Sequence, residues 1–203
     1  MDQMLVTTPR HTPTSFPFNP VDPALNAAVR HIATQVCPVG WDEVEKFEDA
    51  PTTLQAVIKY AEQHGRLCIA TEDSEGTIYD DADTNVHLRA WHDSCHYRHR
   101  LAFNVAGEAA ATYIMVAQLY TLYGTGERSR YWASLILSDI LGLVIHYQQT
   151  RKFPKNKRAG TINGHKRWRL IADEIAGVMH ANAGVAELHA LKLSRNTWGD
   201  YSE

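Results

Sequence analysis

Two helix-length apolar stretches separated by a glycine pair, residues 105–123 and 131–150, leave this chain few folding options. Both are too long and too continuously apolar for strands, so each must shelter against other helices. Gly124 and Gly126 stop the first, and Phe153-Pro154 follows the second. Other segments carry helical punctuation. Behind Asp22, Pro23 suits the first helical position, and Leu25, Val29, Ile32 and Val36 recur at helical spacing before Pro38. Thr52 or Thr53 caps a second helix through Leu54, Val57, Ile58 and Ala61, which stops at His64-Gly65. A central helix follows Asp80, Asp81 and Asp83, whose charges complement its N-terminal end. Residues 162–181 and a short 185–193 complete the set. Residues 41–50 read as acidic and irregular, while 67–71 and 77–79 alternate around Glu75-Gly76 and predict a short hairpin. The expected fold is mainly α: a single-domain helical bundle over 24–203 with a short β-hairpin and an extended Pro-rich arm over 1–23.

Five prolines between Pro9 and Pro23 deny helix to that arm, and Phe16 and Phe18 are candidate anchors for docking on its own domain or on a second copy in a homo-oligomer. No apolar run reaches the roughly 18 residues of a membrane span, because Asp139 interrupts the longest one. The start lacks a basic segment followed by an apolar block, so no secretory signal is expected. Three cysteines without C-x-x-C spacing indicate neither a disulfide framework nor a thiolate zinc cage, and a reducing cytoplasm is expected. The net charge of −3 predicts no bulk attraction to nucleic acid or membrane.

Chemistry concentrates in residues 85–108, NVHLRAWHDSCHYRHRLAFNVAGE, which hold four of the eleven histidines. On a helix, His92 and His96 lie one turn apart with His99 further along the stripe and Asp93 beside it, a spacing suited to a divalent ion such as Zn, Mn, Fe, Co or Mg. The alternative is that they are surface or hydrogen-bonded core histidines. His87 falls about 140° off the stripe, and His64 sits at a helix end. Glu108, about 18 Å from His96 on one straight helix, reaches the same ion only if the chain bends within 103–107. Asp139 and His146, seven apart, are expected on one face, and Asp139 is the candidate ligand from outside the segment. Its alternative is a cap or an arginine salt bridge. Cys95, beside His96, points to a different face and is a poor nucleophile candidate.

The run His92-Asp93-Ser94-Cys95-His96, continued by His99, Phe103 and Gly107-Glu108, resembles the HD-domain deoxynucleoside triphosphohydrolases over less than a tenth of the chain. The spacing to Gly-Glu is longer by four residues, and an upstream histidine has no clear counterpart except His64 or His87. The resemblance implies a helical bundle that holds one or two metals and hydrolyses phosphate esters. By that likeness His92, Asp93, His96 and Asp139 hold metal, while His96, His99 and Glu108 serve catalysis. The same segment also resembles one in uncharacterised bacteriophage proteins, which implies a viral origin, hence a host cytoplasm, and no particular activity.

Between Arg151 and Arg169 stand eight Lys or Arg residues and no acidic one. Lys155, Lys157, Arg158, Lys166 and Arg167 are candidate phosphate-binding groups with Trp168 interleaved, against the alternative of a merely solvated face. Phosphate-loop, dinucleotide-binding, nucleophile-elbow and H-E-x-x-H motifs are all missing. Together these features predict a metal-dependent phosphohydrolase acting on a phosphorylated small molecule or nucleic acid. The rival is a non-catalytic phage-type binding or inhibitor protein that uses residues 151–169 to engage nucleic acid or a protein, with a structural metal. A carboxylate-histidine di-iron bundle lacks its paired E-x-x-H motifs.

Overall fold

Asp22 opens the first helix by accepting the Ala24 N–H at 2.9 Å, with Pro23 at the first helical position. The computed structural model describes residues 22–79 and 81–181. All but the last two residues of the expected arm, the expected helix over 185–193, and Asp80 lie outside the described residues. Helix α1 (Pro23–Val36) buries Leu25, Val29, Ile32 and Val36, the stripe its spacing indicates. Asp22 also accepts from Trp132 Nε1 at 2.8 Å and pairs with Arg128 at 3.2 Å, which ties this helix start to α5 (Glu127–Leu137). Burial opposes its ionisation, yet the bonds from Trp132, Ala24 and Arg128 outweigh burial and lower its pKa.

Strand β1 (Trp41–Val44), helix α2 (Leu54–His64) and strand β2 (Leu67–Ala70) form a crossover in which the strands run parallel, Trp41 opposite Leu67 and Val44 opposite Ala70. Thr53 caps α2 by accepting the Ala56 N–H, and Gly65 ends it in the left-handed conformation. The hairpin expected over 67–71 and 77–79 does not form. All four residues of β2 are buried, as in a parallel strand covered on both faces, and the pairing continues as Thr71 and Glu72 donate to Val44 and Glu45. The segment expected to fold back instead buries Thr77, Ile78 and Tyr79 in the core. Residues 41–44, expected to be irregular, supply the partner strand.

Helix α3 (Ala82–His99) is capped by Asp81, which accepts the Thr84 N–H and hydroxyl at 2.7 and 3.0 Å. Arg30 of α1 braces this start by gripping both Asp81 oxygens, at 2.7 and 2.6 Å, and Asp83. Helix α3 packs on α1 along one side and on α4 (Val105–Tyr123) along the other, while α4 packs on α5 and α7 (Lys157–Ala181). Residues 131–150 are not one regular helix. Ser138–Gly142 make a π-helical turn between α5 and α6 (Leu143–Thr150). One hydrophobic core runs through α1 to α5 and into α7, with Trp91, Met115, Leu119 and Ile136 fully buried. No described helix is long and apolar enough to cross a membrane.

Candidate metal centre

The bend that Glu108 requires is present. Helix α3 ends with Arg100 in the left-handed conformation, its N–H on the Tyr97 carbonyl and the Leu101 N–H on the His96 carbonyl, the two bonds of a Schellman motif. Four residues later Asn104 caps α4 by accepting the Gly107 N–H at 3.0 Å. Helix α4 therefore starts beside the end of α3, so Glu108 in its first turn reaches back to the preceding helix. Gly107 permits this approach, since a Cβ there would lie 1.9 Å from the Ala102 carbonyl oxygen.

Three side chains converge as a result. His92 Nε2 lies 3.0 Å from one Glu108 oxygen, His96 Nε2 lies 3.7 Å from the other, and the two Nε2 atoms are 3.2 Å apart. These are the residues that could hold a metal ion among the described residues. Donors bound to zinc at tetrahedral geometry with 2.0–2.1 Å bonds stand about 3.3 Å from one another, so the separations match one shared ion.

The opposite ring nitrogens decide what the Nε2 atoms offer. His96 Nδ1 sits 2.9 Å from the Leu101 carbonyl, which can only accept, so Nδ1 carries the proton and Nε2 presents a lone pair. His92 Nδ1 faces the Asp93 carboxylate at 3.2 Å, with the same outcome. Two lone pairs and a carboxylate thus point at one spot with no donor between them. Only a cation satisfies such a set, and it is either a metal ion or a proton. In the metal-free protein a proton serves. Burial lowers the His92 pKa, but the Asp93 and Glu108 carboxylates overcome this and raise it to about 9. Burial likewise raises Glu108, while bonds and charge from His92 and His96 bring it down to about 2. His96 is 0% exposed and stacks on Phe103 at 4.2 Å, which fixes its ring plane.

The other expected site residues are placed differently. Asp93 bonds the outer nitrogen of His92 and orients that ring without joining the converging atoms. His99 is exposed in the last turn of α3 and stands outside the group. His87 donates through Nδ1 to the Asp83 carbonyl and packs edge-on against Trp41, and His64 stacks on Tyr60. Cys95 is buried and its thiol is pushed up to about 12 by burial, which suits a core residue and not a nucleophile.

Asp139 is not among the converging ligands. It sits in the π turn, 8% exposed, accepting from the Thr161 hydroxyl at 2.9 Å. It lines a cavity of about 160 Å³ that also touches His92, Asn85 and Arg89 of α3, Thr77, and Phe153 and Lys157. His146 lines a separate cavity between α6 and α7, beside Trp168 and Arg167. The expectation of a shared face for Asp139 and His146 fails because the π turn alters the angular step between them. Burial pushes the Asp139 carboxyl up to about 6, only partly offset by the Thr161 hydroxyl and the charge of Lys157.

Comparison with protein-family models, curated proteins and solved structures finds no match. What the centre can do follows from its own surroundings. A groove of about 580 Å³ adjoins the cavity, sharing Asp73, Phe153 and Lys157 with it and adding Lys155, Arg158 and Glu75. Lys157 pairs with Asp73 at 3.4 Å, and Arg158 donates to the Thr77 carbonyl at 2.5 Å. Lys166 and Arg167 are exposed on α7 and line neither the Asp139 cavity nor the groove beside it. The Leu101 carbonyl, Thr161, Tyr79 and Asn85 do not stand out in the sequence. Backbone carbonyls and lone hydroxyls carry no spacing signal that could have found them.

Proposed function

We propose that this chain is a metal-dependent phosphohydrolase, of the activity implied by the likeness of the His92-Asp93…Gly107-Glu108 run, with His92, His96 and Glu108 as the metal-holding set. The observation that carries the reading is adjacency: the cavity that touches His92 shares Asp73, Phe153 and Lys157 with a groove that Lys155 and Arg158 also line, three cationic side chains against Asp73 and Glu75. At about 160 Å³ the cavity is smaller than the ~300–1,000 Å³ of sites that enclose a whole ligand. It suits one reacting group, with the rest of a phosphorylated substrate lying in the basic groove. Arg89 is anchored there by the Ala70 and Glu72 carbonyls, at 2.7 Å each, and Lys157 by Asp73, so the positive charge is held in place before substrate arrives. A divalent ion at the His92–His96–Glu108 set would supply the acidity that makes water a nucleophile near neutral pH.

The test is release of phosphate or pyrophosphate from nucleoside phosphates and short oligonucleotides, with Zn, Mn, Fe(II), Co and Mg each added to metal-free protein. Product should form with at least one ion, and Glu108→Gln should abolish it without unfolding the chain. An ion bound stoichiometrically with no product from any substrate would refute the reading.

A second reading, a nucleic-acid-binding protein with a structural ion, is favoured by one feature. Exposed Phe153 stacks on Tyr147 at 4.8 Å beside Arg151, Lys152 and Lys155, a combination suited to single-stranded nucleic acid. In that case binding survives Glu108→Gln and is lost when Lys152 and Lys155 are neutralised.

A further inference from the structure

Around the cavity beside the metal-ligand set, Asn85, 5% exposed, has a buried Oδ1 with no hydrogen-bond partner, and the fully buried Tyr79 hydroxyl is directed at the Asp139 carboxyl. Asp139 uses one oxygen on Thr161 and makes no ion pair among the described residues, the closest such pair nearby being Lys157 with Asp73. Unpartnered groups of this kind cost stability unless something polar occupies the space they face. The π turn that carries Asp139 is also a costly local departure from α-helix, of a type common where a side chain must be aimed.

We propose that Asp139 is the proton donor of this site, giving its proton to the leaving oxygen of a phosphate ester bound in the cavity it shares with His92. This rests on the phosphohydrolase reading. Thr161 and Tyr79 bond the carboxyl, the charges of Lys157 and Arg89 act on it, and Asp73 and His92 line the same cavity. Its raised pKa of about 6 keeps a protonated fraction near neutrality, and the negative charge of an incoming phosphate increases that fraction. In the step, a water oxygen forms the new P–O bond and the ester P–O bond breaks. The electron pair stays on the leaving oxygen, which takes the Asp139 proton. The water's proton leaves to solvent, from which Asp139 is reprotonated.

The experiment compares wild type with Asp139→Asn on an alkyl phosphate, whose leaving group needs a proton, and on 4-nitrophenyl phosphate, whose leaving group does not. Asn keeps an acceptor for Thr161, so one metal ion per chain should still bind, and the melting temperature should lose its dependence on pH near 6. The kcat/KM should fall at least 100-fold for the alkyl ester and less than 10-fold for the aryl ester. Thr161→Val, which removes one bond to the carboxylate, should move the alkaline limb of the wild-type pH profile upward. Equal losses for both esters, no loss, loss of the ion, or an unmoved limb in Thr161→Val would overturn the assignment while leaving the phosphohydrolase reading intact. Wild-type protein that binds metal but hydrolyses neither ester would remove both.

Discussion

Replacing Gly107 by alanine isolates the geometry that brings Glu108 to the histidines. The added methyl would sit 1.9 Å from the Ala102 carbonyl oxygen and 2.9 Å from its carbon, both backbone atoms that cannot rotate aside. Carbon and oxygen tolerate about 3.3 Å, so the first turn of α4 must retreat by roughly 1.4 Å. Metal ligands hold their distances to about ±0.2 Å, so a displacement of that size removes Glu108 from the set. We expect metal affinity to fall at least 100-fold, beyond the 10–100-fold typical when a residue that only supports a ligand is lost. Stability should drop by about 1–3 kcal/mol from overpacking, partly offset by the ~1 kcal/mol that alanine gains over glycine within a helix. Gly177→Ala supplies the control, because a Cβ there meets nothing within 4 Å and only the gain should appear. Equilibrium metal titration and thermal melting of the two variants decide the matter. A Gly107→Ala protein that binds metal as tightly as wild type would refute the proposed dependence on this close approach.

The metal-free protein should show a stability window set by the His92–Glu108 pair. His92, raised to about 9, contributes fully below 6.5 and loses its contribution as pH rises through about 9; Glu108, lowered to about 2, contributes above 4.5 and loses it as pH falls through about 2. The pair is one interaction seen from both ends and is worth on the order of 3 kcal/mol between pH 4.5 and 6.5. Urea melts across pH should flatten at both edges in a His92→Gln/Glu108→Gln double variant, and unchanged edges would contradict the pairing. Asp22→Ala removes a helix cap and the partner of the Trp132 indole together, for about 2–4 kcal/mol and roughly 5–15 °C in melting temperature. A change below about 1 kcal/mol would show that α1 is not anchored through this residue.

Local chemistry was legible in the sequence where a single residue type settles a helix end. Asp22-Pro23, Thr53, Gly65 and Gly124 all stand where their capping or stopping character puts them. The sheet was not legible, because its pairing is decided across the α2 crossover. The turn-forming Glu75-Gly76 lies near a strand whose full burial selects a distant parallel partner. The His92–His96 pair followed from helical spacing, whereas the arrival of Glu108 depended on a reversal made by Arg100, a residue that does not advertise the left-handed conformation as glycine or asparagine does. Asp139 and His146 were separated for a similar reason: seven residues share a face only while the helix stays α, and the π turn at Ser138–Gly142 breaks that rule.

If His92, His96 and Glu108 share one cation, X-ray absorption on protein loaded with one equivalent of zinc will show two imidazole nitrogens and carboxylate oxygen at about 2.0–2.1 Å, with the imidazole signal lost in His92→Ala/His96→Ala. A spectrum with sulfur ligands, or one without imidazole scattering, would contradict it.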